Sequence, residues 1–352
     1  MATPAGPAAG AVEAQVKSVQ SLGELAAFWT FDEASGETRQ SKGTKHPHPL
    51  TNGGSVAAEH TSEGPFGGAA VLTGKEYLYI PHEDTHDLNI TGPDARVSMI
   101  AWIKLAKMGR GVSVAGKWYE GQGRGDNTGA RQYSLLLNIP AYGGRNAVCP
   151  HISAEGGVTV RADGTRFPWC VDYAVTPPIV ETHRWVSVGF TYDSDYLSAY
   201  YNGRLARREP NPVDDRRTDP YFTEQGRGYV ADDPTTYVNR GMNPFYHGRG
   251  IYDVQATDYR ADLGIEVASP SDFTIGTRYV SGNLMGEPFV GLFGGLAVFT
   301  RALSEQEMLF LHTTAELEAM NVLQSQREAG SPVGPASAAR NHTQRPALAA
   351  QP

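Results

Sequence analysis

The sequence predicts an all-β chain, folded as a two-sheet antiparallel jelly-roll sandwich with a short C-terminal helix. Three observations carry this. Gly 40 and Pro 23 in 352 residues exceed the usual ~12% and supply too many turns for long helices. Short runs rich in Val, Thr, Tyr, Phe and Trp recur between Gly, Asp and Asn turns, the pattern of pleated, half-buried strands. Asn202-Gly203, set between Tyr201 and Arg204, is a strong hairpin turn.

The elements follow in chain order. Residues 1–21 are Ala/Pro/Gly-rich and read as a flexible segment. The ordered domain spans 22–325. Its strands begin with LAAFWTF (25–31), AAVLTG (69–74), EYLYIP (76–81) and RVSMIAWIKL (96–105). RQYSLLLN (131–138), AVCPHIS (147–153), WVSVGFTY (185–192) and LSAYYNGRLA (197–206) follow. DFTIGTRY (272–279) and LFGGLAVF (292–299) complete the set. Ser304 with Glu307 is a capping box that opens a short helix with Met308, Leu309 and Leu311 on its apolar side. Residues 326–352 are low-complexity and read as a disordered tail. No internal repeat is present.

The net charge of −8 comes without any Lys/Arg-rich run, which argues against nucleic acid as a partner. No stretch reaches the ~18–20 consecutive apolar residues of a membrane span. Cys149 and Cys170 are the only cysteines. They are too few for a zinc site and no CxxC or HExxH is present. They read as a disulfide, which places the chain outside the cytosol. The first residues, MATPAGPAAGAVEAQ, lack both the basic and the apolar region of a signal peptide.

In order, FWTFDEASGE (28–37), the run from GGAAVLTG to YLYIP (67–81), VSMIAWIK (97–104), HRWVSVGFTYDSDYLSAYYNGRLA (183–206), DFTIG (272–276) and GLFGGLAVFTRALSEQEM (291–308) resemble the LamG-like branch of the concanavalin A-like lectin/glucanase superfamily. The resemblance covers most of 25–312 and is weakest over 207–262. It implies that 292–299 returns beside 25–31. It also implies an extracytoplasmic protein and a carbohydrate groove across the polar face of one sheet. A structural calcium at Asp32 is a further implication. Against it, Gly294-Gly295 stand where the family commonly has an acidic pair, and calcium takes six to eight oxygens.

Strand parity selects candidate site residues. In AVCPHIS, Cys149, His151 and Ser153 face away from Val148, Pro150 and Ile152. In RQYSLLLN, Gln132, Ser134 and Asn138 face away from Tyr133, Leu135 and Leu137. The Gly-rich stretch GKWYEGQGRGDNTGARQY (116–133) reads as a loop on the groove rim. It carries Lys117, Trp118, Tyr119, Arg124 and Arg131, suited to stacking on sugars and to binding carboxylates. Residues 207–262 form a long aromatic- and Arg/Asp-rich insertion. Its most site-like piece is FYHGRGIYD (245–253), with Tyr246, His247 and Arg249.

Three functions fit. One is a glycan-binding protein using Lys117, Trp118, Ser134, Ser153, Tyr246, His247 and Arg249. Another is a jelly-roll polysaccharide lyase acting on uronates, with His151 or a tyrosine (Tyr119 or Tyr246) as base and Arg131 and Gln132 on the carboxylate. The last is an adhesion or assembly module binding another protein, or itself, through 207–262. No strand carries the paired carboxylates of a retaining glucanase.

Overall fold

A computed structural model describes residues 9–42, 45–121, 129–140, 144–160, 170–208, 242–253, 272–281 and 284–330. Among the described residues, two sheets of nine strands each lie face to face, antiparallel except for one parallel pairing, Tyr279 opposite Tyr119. The first sheet has the path β13 (Arg204–Leu205), β12 (Tyr196–Tyr201), β11 (Trp185–Tyr192), β6 (Val97–Leu105), β18 (Gly291–Phe299), β4 (Ala69–Leu72), β3 (Glu59–Thr61). To it are added β1 (Leu25–Trp29), paired with β18, and β14 (Phe245–Tyr246), paired with β12. The second has the path β10 (His151–Ile152), β8 (Ala130–Ile139), β7 (Val112–Tyr119), β15 (Phe273–Ile275), β5 (Glu76–Ile80), β2 (Thr51–Gly54). Flanking strands β9 (Gly144–Val148), β16 (Arg278–Ser281) and β17 (Leu284–Gly286) complete it.

The core follows the parity of the strands. Val97, Met99, Ala101 and Ile103 of β6 meet Val186, Val188 and Phe190 of β11 and Leu135 and Leu137 of β8 between the sheets. The alternate residues of β6 also meet apolar partners. Ile100 and Trp102 join Trp185, Phe66 and Phe28 in a second cluster on the outer face of the first sheet. Helices cover that face: α1 (Ala9–Gln20), α2 (Glu305–Thr314) and α3 (Leu317–Gly330). Val19, Met308, Leu311 and Leu317 are their buried contributions. Residues 9–20, expected to be loose, are therefore helical. Val12, Val16 and Val19 recur at helical spacing, and that apolar stripe binds the segment to the sheet. The expected short helix is α2, and a further helix, α3, follows it to Gly330. The tail beyond it lies outside the described residues. Ser304 caps α2 as the sequence predicts, with Glu307 closing the box.

Strand β18 returns beside β1, with Leu296 opposite Trp29 and Phe299 opposite Leu25. Its first half, Gly291–Phe293, pairs instead with β4. The register against β6 shifts between Phe293 and Gly295. Gly294 and Gly295 sit at that switch because the partners leave no room for a side chain. A Cβ at Gly294 would lie 2.6 Å from Pro65 and 2.7 Å from the Trp185 ring, and one at Gly295 2.8 Å from the Phe66 and Trp102 rings.

The cysteines correct an expectation: Cys149 and Cys170 are free thiols. Cys149 packs among Leu136, Ala147, Val171 and Tyr173, and burial pushes its pKa up. Cys170 faces the Ile152 carbonyl at 3.4 Å. Its thiol is raised to about 12, by burial first and then by Asp172. Each serves as a small buried apolar residue.

Two outcomes follow. Gly295→Ala is expected to cost about 1–3 kcal/mol by overpacking, read as a lower urea midpoint at unchanged slope. A thiol reagent is expected to find no reactive group in native protein and two per chain in denaturant, with a melting temperature insensitive to reductant.

Candidate functional site

Strand β7 replaces the loop expected over 116–119. Val112, Val114, Trp118 and Tyr119 are strand formers, and all of β7 is buried. Gly116 permits it to approach β8 closely, since a Cβ there would lie 2.5 Å from the Tyr133 carbonyl oxygen. Residues 122–128, including Arg124, lie outside the described residues. The outer face of β8 is also covered. Segment 170–176 runs beside β10, with Ile152 N–H donating to Asp172 O at 3.1 Å and Ala174 N–H to Pro150 O at 3.2 Å. The open polar face expected from parity is thus an interior, and Gln132, Ser134, His151 and Ser153 are all buried.

The structure gathers most of the expected residues there. The His151 ring stacks on Tyr173 at 5.2 Å and meets Trp118 edge-on at 5.6 Å. Its Nδ1 lies 2.9 Å from Cys149 O. Burial lowers its pKa to about 4, so the ring is neutral over most of the acidic range. Trp118 Nε1 donates to Glu120 Oε1 at 2.9 Å. Arg131 donates to Glu120 Oε2 through Nε at 3.1 Å and Nη2 at 2.8 Å. Arg278 pairs with the same carboxylate and with Glu287 at 2.9 Å. Burial alone would raise the Glu120 pKa, yet Arg278 and Arg131 hold it well below the usual carboxylate range.

A turn at 153–156 joins this network to a second one. Ser153 N–H donates to Gln132 O at 2.9 Å, Tyr252 N–H to Ser153 O at 2.7 Å, and Arg131 N–H to Gly156 O at 3.0 Å. Gly156 has φ +72, and a Cβ there would lie 2.4 Å from the Tyr252 ring. Beside the turn, Arg249 bonds Asp172 Oδ2 at 2.6 Å and pairs with Glu155. Thr159 Oγ1 donates to the same Asp172 oxygen at 2.8 Å. One guanidinium thus serves two carboxylates. Asp172, the more buried, is held below its usual pKa by Arg249 against the opposing effect of burial, whereas burial and the Asp172 charge push Glu155 up. His247 Nε2 lies 2.8 Å from Gly250 O.

Polar atoms are left over within these networks. Among the described residues, Arg131 Nη1, Gln132 Oε1, Glu155 Oε2, Asp172 Oδ1, His247 Nδ1 and Arg249 Nε are buried without a hydrogen-bond partner. Buried polar atoms are normally paired; these six come from four neighbouring segments, and two of them, His247 Nδ1 and Asp172 Oδ1, face each other at 3.8 Å. The side chains at the rim remain in contact with solvent: Glu120 is 28% exposed, Glu155 22% and Arg249 19%.

Other expected residues lie elsewhere or serve the fold. Lys117 is buried at the end of β7, its Nζ 3.3 Å from Thr85 Oγ1 and 3.4 Å from His82 Nδ1. Burial lowers its pKa to about 7. Ser134 Oγ approaches Ala115 O at 3.5 Å. Tyr119 packs with Ala130 and Tyr279. Tyr246 pairs edge-on with Tyr196 at 5.3 Å on the first sheet. Of the insertion, 242–253 is built into the sandwich: Gly92 and Ile251 exchange backbone bonds at 2.8 and 3.0 Å. The rest of 209–271 lies outside the described residues. The surroundings of Asp32 do not fit a calcium ion. Lys42 Nζ occupies both carboxylate oxygens, at 2.7 and 2.9 Å. Among the described residues no group of three or more His, Cys, Asp or Glu is placed to hold a metal. Glu120, Glu155, Asp172 and Arg278 escaped the sequence reading, because no local pattern distinguishes a charged residue that becomes buried beside its partner.

No family model matches the sequence, and no curated protein matches it. Among solved structures, domain 4 of a GH43 extracellular arabinanase from Geobacillus stearothermophilus, in complex with arabinotriose, is similar at TM-score 0.46 and 14% identity. That match covers 82% of this chain and 98% of the other. The binding domain of botulinum neurotoxin serotype G is similar at TM-score 0.40 and 9% identity, covering 82% of this chain and half of that one. Trypanosoma rangeli sialidase is similar at TM-score 0.43 and 13% identity, covering 84% of this chain and a third of its own. Among the described residues, no helix is long and apolar enough to cross a membrane.

His151 makes the interior sensitive to acid. Its folded pKa of about 4 lies below the ordinary 6.5, so between these values the unfolded chain binds the extra proton and stability falls as pH falls. At pH 5 the loss is about 2 kcal/mol. His151→Phe, which keeps a ring between Trp118 and Tyr173, is expected to shrink the drop in melting temperature between pH 7 and pH 5.

Proposed function

We propose that the chain is a glycan-binding β-sandwich protein. Its binding site is the edge where segment 242–253 meets β8, β10 and the 153–156 turn. The charged side chains that reach solvent there carry the reading: Glu120, Glu155 and Arg249 stand partly exposed at the rim. A carboxylate accepts from a sugar hydroxyl and a guanidinium donates to one, so such a rim suits vicinal hydroxyls. The LamG-like motifs of the sequence support the same reading.

Binding is favoured over elimination chemistry by how the candidate groups are used. Arg131 is committed to Glu120, and the Gln132 amide donates to Asn89 Oδ1 and Tyr252 O at 3.0 and 3.1 Å. Neither presents its full donor set to a uronate carboxylate. With both thiols free, an extracytoplasmic placement rests on the resemblance alone.

Glu155→Gln, which keeps the shape of the side chain, removes a carboxylate charge from the rim. It is expected to weaken glycan binding about tenfold or more, measured by titration calorimetry on the best ligand from a glycan array. The transition should stay cooperative. Absence of binding to any arrayed glycan by the wild-type chain would overturn the reading.

A further inference from the structure

We infer, resting on the glycan reading above, that the site continues to a cleft beside Tyr77, so that its ligand is an extended oligosaccharide and not a single terminal sugar. The cleft lies at one end of the second sheet, where the end of β2, the β4–β5 turn and the β16–β17 hairpin meet. Gly54, Gly74, Lys75, Tyr77, Met285 and Gly286 are among its lining residues. They are open to ligand: Gly54 and Lys75 are exposed, and Gly74, Tyr77, Met285 and Gly286 are half-buried. The volume is about 170 Å³. Pockets that enclose a whole drug-sized ligand run to roughly 300–1,000 Å³. This one therefore takes a single ring and leaves the rest of a chain outside.

The Tyr77 ring is a fixed wall of this cleft. It lies on its cross-strand partner Gly53, where a Cβ would come within 2.3 Å of the ring. A ring already held in place loses little freedom when a ligand packs on it. Tyr79 follows two residues on along β5, its ring centroid 5.9 Å from that of Tyr77 and tilted by 43°. Aromatic rings of this kind offer an apolar face and a polar hydroxyl together, which matches the C–H face and the hydroxyls of a sugar. Lys75 at the mouth adds a cationic donor.

A band of apolar side chains joins the cleft to the rim. At the rim, Tyr252 lies against the 153–156 turn, where a Cβ at Gly156 would lie 2.4 Å from its ring. Tyr252 and Met285 are both half-buried, and both pack against the cluster of Tyr119, Ala130 and Tyr279. Tyr279 stands opposite Tyr119 on one side and opposite Met285 on the other. Its hydroxyl donates to Asp272 Oδ2 at 3.0 Å, which fixes the ring. Met285 then lines the cleft. The rim at Glu155 and the cleft at Tyr77 are thus two ends of one band. An apolar band with polar groups at its ends is the mark of a surface that is covered in use, and one sugar at the rim would cover only part of it.

The test titrates the whole chain, by calorimetry, with disaccharides and hexasaccharides of the cello, xylo, manno and arabino series. A hexasaccharide is expected to bind about tenfold or more tightly than the disaccharide of its series. Tyr77→Leu keeps an apolar cover over Gly53 and removes the ring. It should weaken the hexasaccharide about fivefold or more and the disaccharide less than about twofold. Lys75→Ala, a change at an exposed position, should weaken the hexasaccharide about threefold. Glu155→Gln should weaken both lengths. Equal affinity for the two lengths, or a hexasaccharide affinity unchanged in both Tyr77→Leu and Lys75→Ala, would overturn the cleft and leave the glycan reading standing. No binding of either length would remove the glycan reading and the cleft with it.

Discussion

The structure depends on one strand that has to serve three partners. Strand β18 bonds β6 along its length, β4 with its first residues and β1 with its last. An unbroken ladder could not do this, because side chains from both sheet faces crowd the crossing. Gly294-Gly295 resolve the conflict by removing the side chains where the rings of Trp102, Trp185 and Phe66 close in. The register shift at that point re-aims the strand. The sequence shows those glycines as a departure from an acidic pair, and the packing gives the reason. Rings of this size leave no space for a carboxylate, and Asp32 correspondingly turns to Lys42.

Burial on both faces has a similar origin in the two sheets, with different covers. Three helices lie over the first sheet, held by a cluster that includes Val19, Met308 and Leu317. Over part of the second sheet the cover is the extended segment 170–176, with Val171, Tyr173 and Val175 pressed on Leu136 and Cys149. Beside this cover, charges that would ordinarily face water are largely enclosed, with Glu120 and Arg249 still reaching solvent. Enclosure is tolerable because carboxylates and guanidiniums were brought in together. Glu120 with Arg131 and Arg278, and Asp172 with Arg249, are the two results.

Much of the fold was legible because strand periodicity and capping are local. Val97, Met99, Ala101 and Ile103 point inward as their alternation requires, and Ser304 with Glu307 caps its helix. Sequence parity also placed Cys149 and His151 opposite Val148 and Ile152, and the packing agrees. What lay on the polar face was not legible. Nothing in Cys170–Thr176 announces that it will run beside β10, since long-range pairing leaves no local mark. The thiols therefore read as a disulfide, and the polar face as an open groove. Strand β7 was missed for another reason: Gly116 punctuates the run, and its cause, close contact with Tyr133 and Ser134, is tertiary.

The closure made by β18 also dictates when the molecule can assemble. The first sheet has no middle until residue 299 is available, because β6 and β1 both need β18 as their neighbour. A chain emerging from the ribosome would hold β1 and one edge each of β4 and β6 unpaired through almost 200 residues of further synthesis, counting from Leu105. Such edges are templates for wrong pairing, and contacts this distant in sequence form slowly. Closure of this sheet therefore waits on a strand far along the chain, and its edges stay open until that strand arrives.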